Sequence, residues 1–307
     1  MSKSTRQQFA DTMHAIGQYD ENLVVMVGDI GHGILKPFAE SCPGRYYNIG
    51  ILEPTMISLG AGLSATGLRP VIHTIAPFMI ERAFEQIKLD FCYHQLSGNI
   101  VTVGSAFDYS NLGCTHHCYG DFALLKTLPG VEICFPSSPI EFDQLFKQSY
   151  QNNQLTVYRI AGKNHGVQFE ESEIVFGKGV LVSEGEDVTI IATGPLLKTA
   201  LIAKEDLLSK GIKSEVIYIH TIRPLDIDLI RSSVQKTHNV VVVEEHMRTG
   251  GLGDEVLRAT YDIEGLKFHS VSIPDKFVTG YGTYEELSKS CGLTPEAIVN
   301  AVNSWYS

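Results

Sequence analysis

The chain has 307 residues and a formal net charge of -11, and it is 44% hydrophobic and 19% charged. This length is enough for two domains with cores of their own, and the apolar and charged fractions are ordinary for a globular protein. The negative charge is not offset by any lysine or arginine cluster, which excludes a nucleic-acid-binding surface.

The first half of the chain alternates strand-like and helix-like segments in the manner of parallel α/β layers. Short apolar runs predict strands at 23–27, 71–74, 100–103, 131–135 and 156–158. The segments around them predict helices at 5–16, 54–66, 79–94, 121–127 and 139–152. A three-layer α/β domain with a mainly parallel sheet is therefore expected.

A stretch at 161–176 interrupts this rhythm with Gly, Lys, Asn and three glutamates, which suits an exposed connection. We place a linker at 166–177, between domains at 1–165 and 178–307. A second alternating unit follows, with strands predicted at 188–192, 214–218, 240–244 and 267–271. Its helices are predicted at 196–210, 227–236 and 252–261, before two short carboxy-terminal helices, the last beginning at Thr294-Pro295-Glu296. The second domain is thus expected to have the same fold class.

Glu53 is the most unusual charged residue of the first half. The apolar run Ile49-Gly-Ile-Leu52 precedes it, and Pro54 favours the start of a helix directly after it. The predicted helix 54–66 is nearly free of charge, so a carboxylate at its entrance is costly to bury. The local pattern permits two interpretations: a group that exchanges protons in a site, or an acidic cap stabilised by the helix dipole.

The motifs around Glu53 occur in a recognisable order. Asn-Ile-Gly-Ile-Leu-Glu53 leads into the apolar helix, and Gly67-Leu-Arg-Pro-Val, Thr74-Ile-Ala-Pro-Phe78 and Arg82-Ala-Phe-Glu-Gln86 follow. This order resembles the pyrimidine-binding domain of the transketolase family. The second unit resembles the C-terminal domain that transketolases share with the beta subunits of 2-oxoacid dehydrogenases. The resemblance spans essentially the whole chain.

The resemblance implies a site for thiamine diphosphate. In this family a glutamate bonds the aminopyrimidine of the cofactor and an aromatic residue stacks on the same ring, and Glu53 and Phe78 fall on those positions. Ile75 would form more of the apolar wall. Asp29, on the loop after the first strand, matches an aspartate near the cofactor, although aspartates at strand ends often only stabilise turns.

Thr115-His116 matches the Thr-His of a family motif. The resemblance makes His116 the acid/base toward substrate, since histidine exchanges protons near neutral pH. The sequence Cys114-Thr-His-His117-Cys118 leaves a zinc site open as an alternative, although structural zinc sites usually show paired ligands in two clusters.

Two arginines, Arg6 and Arg159, match arginines that bind substrate phosphate in the family, which implies an anionic or phosphorylated substrate. Local pattern alone would make Arg6 an exposed residue of a first helical turn. The family residues that contact donor hydroxyls are replaced here by Leu112 and Gly104, and this puts the usual ketose donor in doubt. His117 is the implied substrate-binding substitute, with Asn111 and Asp108 able to reach the same space.

The diphosphate half of the cofactor site has no motif in this chain. The family holds the diphosphate and Mg²⁺ with Gly-Asp-Gly followed roughly 30 residues later by Asn, and the nearest approaches here are Gly28-Asp29-Ile30 and Gly120-Asp121-Phe122. The resemblance therefore implies a separate N-terminal subunit that carries the diphosphate-binding domain and holds most of the Mg²⁺ ligands. A two-plus-two heterotetramer is the expected assembly.

Two motifs of the second half are interpreted as structural. Gly250-Gly251-Leu252-Gly253 is placed like a nucleotide-binding turn, but Val256 stands where that fingerprint has Gly or Ala, so a tight turn is predicted. Glu244-Glu245-His246 is assigned to the interface and the fold.

The leading hypothesis is the C-terminal subunit of a split, transketolase-like transferase. It would move a two-carbon ketol or acyl unit from a ketose or 2-oxoacid donor to an aldehyde or sugar acceptor. The alternatives are the beta subunit of a 2-oxoacid dehydrogenase or decarboxylase, and a non-catalytic scaffold subunit.

The sequence also favours a cytoplasmic location. The amino terminus is polar without an apolar signal core, and no stretch approaches the roughly 18 to 20 apolar residues of a membrane span. The six cysteines are too sparse for a disulfide framework and are expected to be mostly reduced.

Overall fold

A computed structural model describes residues 3–306 of the chain. In chain order the strands are β1 Leu23–Val27, β2 Tyr46–Asn48, β3 Arg69–Ile75, β4 Gly98–Val103, β5 Glu132–Cys134, β6 Leu155–Ile160, β7 Val180–Ser183, β8 Val188–Ala192, β9 Ser214–Tyr218, β10 Thr221–Arg223, β11 Asn239–Met247 and β12 Lys267–Ile273.

The helices lie between and around these strands. They are α1 Thr5–Gly17, α2 His32–Ser41, α3 Glu53–Ala65, α4 Ala76–Ile80, α5 Phe84–Gln86, α6 Asp121–Lys126, α7 Pro139–Ser149, α8 Leu197–Leu208, α9 Ile227–Thr237, α10 Leu252–Thr260, α11 Tyr284–Ser290 and α12 Pro295–Asn303. Within residues 3–306, no helix combines the length and the apolar character that a membrane crossing needs.

Two sheets organise these elements. The first has seven strands in the order β10-β5-β6-β4-β3-β1-β2, and the second has five in the order β12-β11-β8-β9-β7. Neighbouring strands are parallel except at two edges, where β10 pairs antiparallel with β5 and β7 pairs antiparallel with β9. The two α/β units with mainly parallel sheets agree with the predicted fold class. Strand β10 comes from the second half but joins the first sheet, which ties the two units together.

The chain between β6 and β7 contains one short 3₁₀ turn, Glu171–Glu173, and no strand. The core is nevertheless continuous across it, because one apolar cluster contains Ile72 and Ile100 of the first sheet together with Ile217 and Val242 of the second. Such a shared core holds the two units in one fixed arrangement.

The long helix predicted at 79–94 is wrong as a single element. The structure has α4, a turn at 81–83, the short α5 and a π-helical segment Ile87–Tyr93. Wide π turns occur frequently at functional sites. The sequence prediction also missed α2, whose Gly33 and internal Pro37 lower helix propensity.

Candidate active site

The candidate site lies where three parallel strands of the first sheet end. The segments that follow β1, β3 and β4 carry Asp29, Phe78 and His116, and Glu53 enters beside them as the first residue of α3. The carboxyl ends of neighbouring parallel strands meet at one edge of a sheet, which is the usual place for a site in an open α/β fold. Packing brings α3 there, since the backbone at Gly28 lies against Met56 of α3 and Thr74 of β3.

Glu53 is 1% exposed, and its Oε2 accepts a hydrogen bond of 2.7 Å from Nη1 of Arg82. This is the one hydrogen bond that the described residues give its side chain. Its position is fixed by α3, which packs closely on the sheet because Gly60 leaves room for Ile72 of β3. The carboxylate is thus held in place but has one cationic partner, and the side chain of that partner is 47% exposed.

Arg82, Phe78 and His116 continue the cluster. The Arg82 guanidinium carbon lies 4.5 Å from the centroid of the Phe78 ring, in a cation–π contact. The His116 ring meets the same phenyl ring edge-on, with centroids 5.0 Å apart. Glu53, Phe78 and His116, which the sequence analysis selected separately, are therefore brought together, with Ile75 half-buried at the end of β3 beside them.

His116 lies half-buried on the irregular loop between β4 and α6. Its Nδ1 is 2.9 Å from the hydroxyl of Thr115, and its backbone N–H donates to the carbonyl of Gly113. The second unit supports this loop, because Ala106 N–H donates to Glu245 Oε1 at 3.2 Å and Met247 N–H donates to the carbonyl of Tyr119. The position of the histidine therefore depends on both halves of the molecule.

Asp29 stands in the left-handed region with φ 59° directly after β1. Its Oδ1 accepts from Nδ2 of Asn48 at 3.2 Å and lies 3.2 Å from Nε2 of His32. The hydrogen bond from Asn48, and then that with His32, lower the pKa of this exposed carboxyl. Asp29 is thus a charged acceptor at the rim of the site.

Arg6 lines a cavity of about 310 Å³ with Gly31, His32 and Gly33 at the start of α2. Among the described residues, none forms a hydrogen bond with the buried Nε of Arg6. Gly31 is the N-cap of α2, and no side chain of the described residues caps the helix there, so its first N–H groups are available to an anion. The pKa of nearby Tyr109 is raised by burial and lowered in part by the Arg6 charge. The Tyr109 ring in turn contacts His116, with centroids 5.9 Å apart.

The structure does not bring Arg159 to this site. Arg159 is 1% exposed, and its guanidinium donates to Asp121 Oδ1 at 3.0 Å and to Glu245 Oε1 at 2.8 Å. The rings of Phe122 and Phe135 lie within 4.9 and 4.4 Å of its central carbon. Burial disfavours the charge, but the two carboxylates outweigh it and raise the pKa of Arg159. The assignment of Arg159 to substrate phosphate stays a prediction, and this arrangement does not support it, because the guanidinium is enclosed and donates to two buried carboxylates.

His117 is enclosed as well, and it is not among the residues that line the cavity at Arg6. It is 4% exposed and packs edge-on against Phe107, with centroids 5.2 Å apart, and burial lowers its pKa. A substrate-binding role for His117 would require this packing to open. In the zinc alternative Cys118 would be a ligand, but its side chain is fully buried. The described residues contain no group of three or more His, Cys, Asp or Glu able to hold a metal ion.

The two replaced family positions have structural explanations. Gly104 has φ +96°, and a Cβ there would lie 2.7 Å from the ring of Tyr109, so the tyrosine fills that space. Leu112 is 46% exposed. The side chain of Asp108 has a structural role, because its Oδ2 accepts hydrogen bonds from the N–H groups of Ser105 and Gly162 at 2.8 and 2.7 Å.

The glycine-rich turn at the start of α10 is filled by an internal carboxylate. Glu244 accepts from the N–H groups of Leu252 at 2.6 Å and Gly253 at 2.8 Å. A Cβ on Gly251 would lie 2.3 Å from the same carboxylate. This agrees with the predicted tight turn, since the helix N-terminus that would hold a nucleotide phosphate is already satisfied.

Sequence reasoning missed Arg82 as a site residue. The available signal was its spacing of four residues from Phe78, which places the two side chains together on a helical turn. The contact with Glu53 had no such signal, because the two residues lie 29 positions apart and belong to different elements.

Comparisons with known proteins match both halves of the chain. The family model for the transketolase pyrimidine binding domain matches residues 1–164, and that for the transketolase C-terminal domain matches residues 177–298. An apulose-4-phosphate transketolase subunit of Phocaeicola vulgatus is 31% identical over 296 residues, which are 95% of this chain and 94% of that protein.

Two further likenesses extend this picture. The 1-deoxy-D-xylulose-5-phosphate synthase of Halothermothrix orenii is 31% identical over 282 residues, which are 89% of this chain but 43% of that protein. A solved structure, described as a split gene transketolase in an inactive beta4 tetramer, matches with a TM-score of 0.88 and 28% sequence identity. It covers 99% of this chain and 98% of that one.

Proposed function

The chain belongs to the transketolase family, and from this premise we propose that it is one subunit of a two-subunit, thiamine diphosphate-dependent transferase. The enzyme moves a two-carbon ketol or acyl unit from a ketose or 2-oxoacid donor to an aldehyde or sugar acceptor. The partner is a separate N-terminal subunit that carries the diphosphate-binding domain.

The observation that carries this proposal is the buried carboxylate of Glu53. It is 1% exposed and lies in one cluster with an aromatic ring and a histidine at the carboxyl edge of a parallel sheet. A carboxylate taken out of water is costly unless it is paired or hydrogen-bonded. The one partner that the described residues give Glu53 is the half-exposed Arg82, which leaves the carboxylate accessible to a bound group once that arginine moves.

The residues present fit the pyrimidine half of thiamine diphosphate. Glu53 offers a buried acceptor to a ring nitrogen, Phe78 offers an aromatic surface, and Ile75 offers an apolar wall, while Asp29 stands at the rim. When bound, the cofactor supplies a nucleophilic carbon for attack on a carbonyl group. The role of this chain is to hold the pyrimidine ring and to exchange a proton with it through Glu53. Mg²⁺ and the diphosphate are assigned mainly to the partner subunit.

His116 is the proposed acid/base toward substrate. Its ring is held by Phe78 and Tyr109, and Thr115 lies 2.9 Å from Nδ1. A hydrogen bond at Nδ1 fixes the ring orientation and leaves Nε2 to exchange a proton with a substrate oxygen.

The substrate is proposed to be an anionic sugar or sugar phosphate. Arg6 and the free N–H groups at the start of α2 line one cavity of about 310 Å³ beside Tyr109. Charge-assisted hydrogen bonds from such groups are strong for phosphate-like anions. The names of the two protein relatives, an apulose-4-phosphate transketolase subunit and a 1-deoxy-D-xylulose-5-phosphate synthase, include sugar phosphates.

The proposed assembly is a two-plus-two heterotetramer in the cytoplasm. The solved relative that consists of beta chains is described as inactive, which supports a requirement for a second kind of subunit. The active site would then be completed at the interface between unlike chains.

The test is coexpression of this chain with the product of its neighbouring gene, followed by a screen of ketose, 2-oxoacid and aldehyde pairs with thiamine diphosphate and Mg²⁺. We expect a transfer product from the complex and none from either subunit alone. Carbon dioxide release would identify a 2-oxoacid donor. A stable complex that binds thiamine diphosphate but forms no product with any pair would contradict the proposed reaction, and turnover by this chain alone would contradict the split site.

A further inference from the structure

The Arg82 guanidinium occupies both of the contacts that the proposed function assigns to the cofactor's pyrimidine ring. It bonds Glu53 Oε2 at 2.7 Å, and its central carbon lies 4.5 Å from the centroid of Phe78. One planar cation therefore holds the acceptor and covers the aromatic surface. We propose that Arg82 is a displaceable placeholder for the pyrimidine ring. This inference rests on the proposed function.

The two partners differ in burial, and this indicates which side chain moves when the pair opens. The side chain of Glu53 is 1% exposed and that of Arg82 is 47% exposed. Without a partner the carboxylate would be buried and uncompensated, because it has no access to water. The arginine can swing into solvent on its flexible stem and keep its charge hydrated. Opening therefore moves Arg82 while α3 holds Glu53 in place.

The chemistry of the exchange balances. Glu53 gives up an N–H donor from the guanidinium. A neutral aminopyrimidine nitrogen carries no hydrogen, so the ring enters together with one proton from solvent, which the ring nitrogen and the carboxylate then share, and Phe78 exchanges one planar group for another. No charge is left buried without a partner at either end of the exchange. While the site is empty, the hydrogen bond from Arg82 keeps the carboxylate oriented for the incoming ring.

A placeholder has a measurable cost. Cofactor binding has to break the Arg82–Glu53 pair, so the apparent affinity is reduced by the fraction of molecules in which the pair is open. Removing Arg82 should therefore tighten cofactor binding by roughly tenfold, the factor expected for an exchange of about one charge-assisted hydrogen bond. A residue that stays in place and orients Glu53 would have the opposite effect.

The experiment measures the dissociation constant of thiamine diphosphate in the presence of Mg²⁺, by calorimetry on the coexpressed complex. The variants are Arg82→Ala and Arg82→Lys, with Lys88→Ala as the control because it removes an exposed cation from the adjoining π-helical segment. We expect Arg82→Ala to bind roughly tenfold more tightly, Arg82→Lys to lie between it and the wild type, and Lys88→Ala to match the wild type. If Arg82→Ala does not assemble, Arg82→Lys provides the same comparison with the charge retained.

A double variant isolates the pair. In a Glu53→Gln background the ion pair is reduced to a weaker hydrogen bond to a neutral amide, so adding Arg82→Ala should tighten binding much less than it does in the wild type. Equal or weaker binding by Arg82→Ala, with normal binding by the wild type and Lys88→Ala, would overturn the placeholder and leave the proposed function standing. Failure of the wild-type complex and every variant to bind thiamine diphosphate would overturn the proposed function itself.

Discussion

Two arginine–carboxylate clusters lie against the first sheet and differ in which partner meets solvent. In the first, buried Glu53 pairs with a half-exposed Arg82. In the second, Arg159 is 1% exposed and is held between Asp121 and Glu245, which are buried as well. The first pair can open when its half-exposed arginine moves into water and a bound group takes over the contacts with Glu53 and Phe78. The second cannot open without leaving several buried charges unpaired. A buried charge indicates a site when its partner is displaceable and a structural joint when its partners are enclosed.

The largest expected effect tests the pair of Glu53 and Arg82. Glu53→Gln should lower turnover of the assembled enzyme by about 10³-fold, because the amide cannot exchange a proton with the bound ring. The fold should be nearly unchanged, since the amide oxygen still accepts from Arg82. Steady-state kinetics and chemical unfolding of the same preparation measure both quantities.

The control for this variant is Glu85→Gln, which neutralises an exposed glutamate in the nearby α5 and should leave turnover at the wild-type level. Unchanged turnover in Glu53→Gln would show that Glu53 has no catalytic role. The Glu53–Arg82 pair would then be structural, like the cluster around Arg159.

For the cluster of Arg159, Asp121 and Glu245, the expected effect is on the free energy of unfolding. Arg159→Met leaves Asp121 and Glu245 buried without their shared cation and should lower the free energy of unfolding by about 3 kcal/mol or more. Arg231→Met is the matched control, because it breaks a solvent-exposed pair with Asp262 and should lower the free energy of unfolding much less. Urea unfolding of the three proteins gives the comparison. An equal loss in both variants would show that enclosure adds nothing to the Arg159 cluster.

Glu244, which precedes Glu245 in the chain, is a further buried carboxylate. Among the described residues, no lysine or arginine side chain is hydrogen-bonded to it. Burial raises the pKa of Glu244 to about 7, from 4.5 for an accessible carboxyl. A raised pKa in the folded state stabilises the fold below the unfolded pKa, and this stability is lost as pH rises through the folded pKa. The free energy of unfolding should therefore fall by about 2 to 3 kcal/mol between pH 4.5 and 7 from this group.

The check is a pair of urea titrations of wild type and Glu244→Gln, at about pH 5 and about pH 7.5, on either side of most of this change. The glutamine variant is expected to be less stable overall, since it keeps one acceptor for two N–H donors, but to lack this decline with pH. Parallel declines in both proteins would assign the pH dependence to other groups.

Local sequence patterns predicted the fold best for short strands. The strands at 23–27, 188–192 and 214–218 are confirmed at both ends, since each is a short run with apolar residues at its centre that both faces of a parallel sheet can bury. The helix predicted at 79–94 is broken because its apolar spacing does not encode the turn at 81–83. The strand β10 was missed because its place depends on pairing with β5, a partner far away in the chain.

The candidate site was predictable in residue type but not in burial. The pattern around Glu53 and the resemblance of its motifs selected Glu53, Phe78 and His116, and the structure brings their side chains into one cluster. Their catalytic roles stay predictions. Arg159 was assigned to phosphate because it matches a phosphate-binding arginine of the family, yet the sequence does not show that Asp121 and Glu245, 38 and 86 positions away, enclose it.

The smallest effect tests the other arginine assigned to phosphate. Arg6 differs from Arg159 in lining an open cavity with the uncapped start of α2. Arg6→Gln should raise KM for a phosphorylated acceptor by about 10-fold to 30-fold, the loss of one hydrogen bond to a charged group. It should leave kcat and the KM of the unphosphorylated analogue close to wild type, because the change affects substrate anchoring alone.

The control variant is Lys36→Gln. It removes an exposed cation of α2 that pairs with Glu40, and so controls for the general field of positive charge. Arg159→Met should not discriminate between the two acceptors. An equal rise in KM for both acceptors in Arg6→Gln would place Arg6 among structural residues and leave the substrate anion to another part of the cavity.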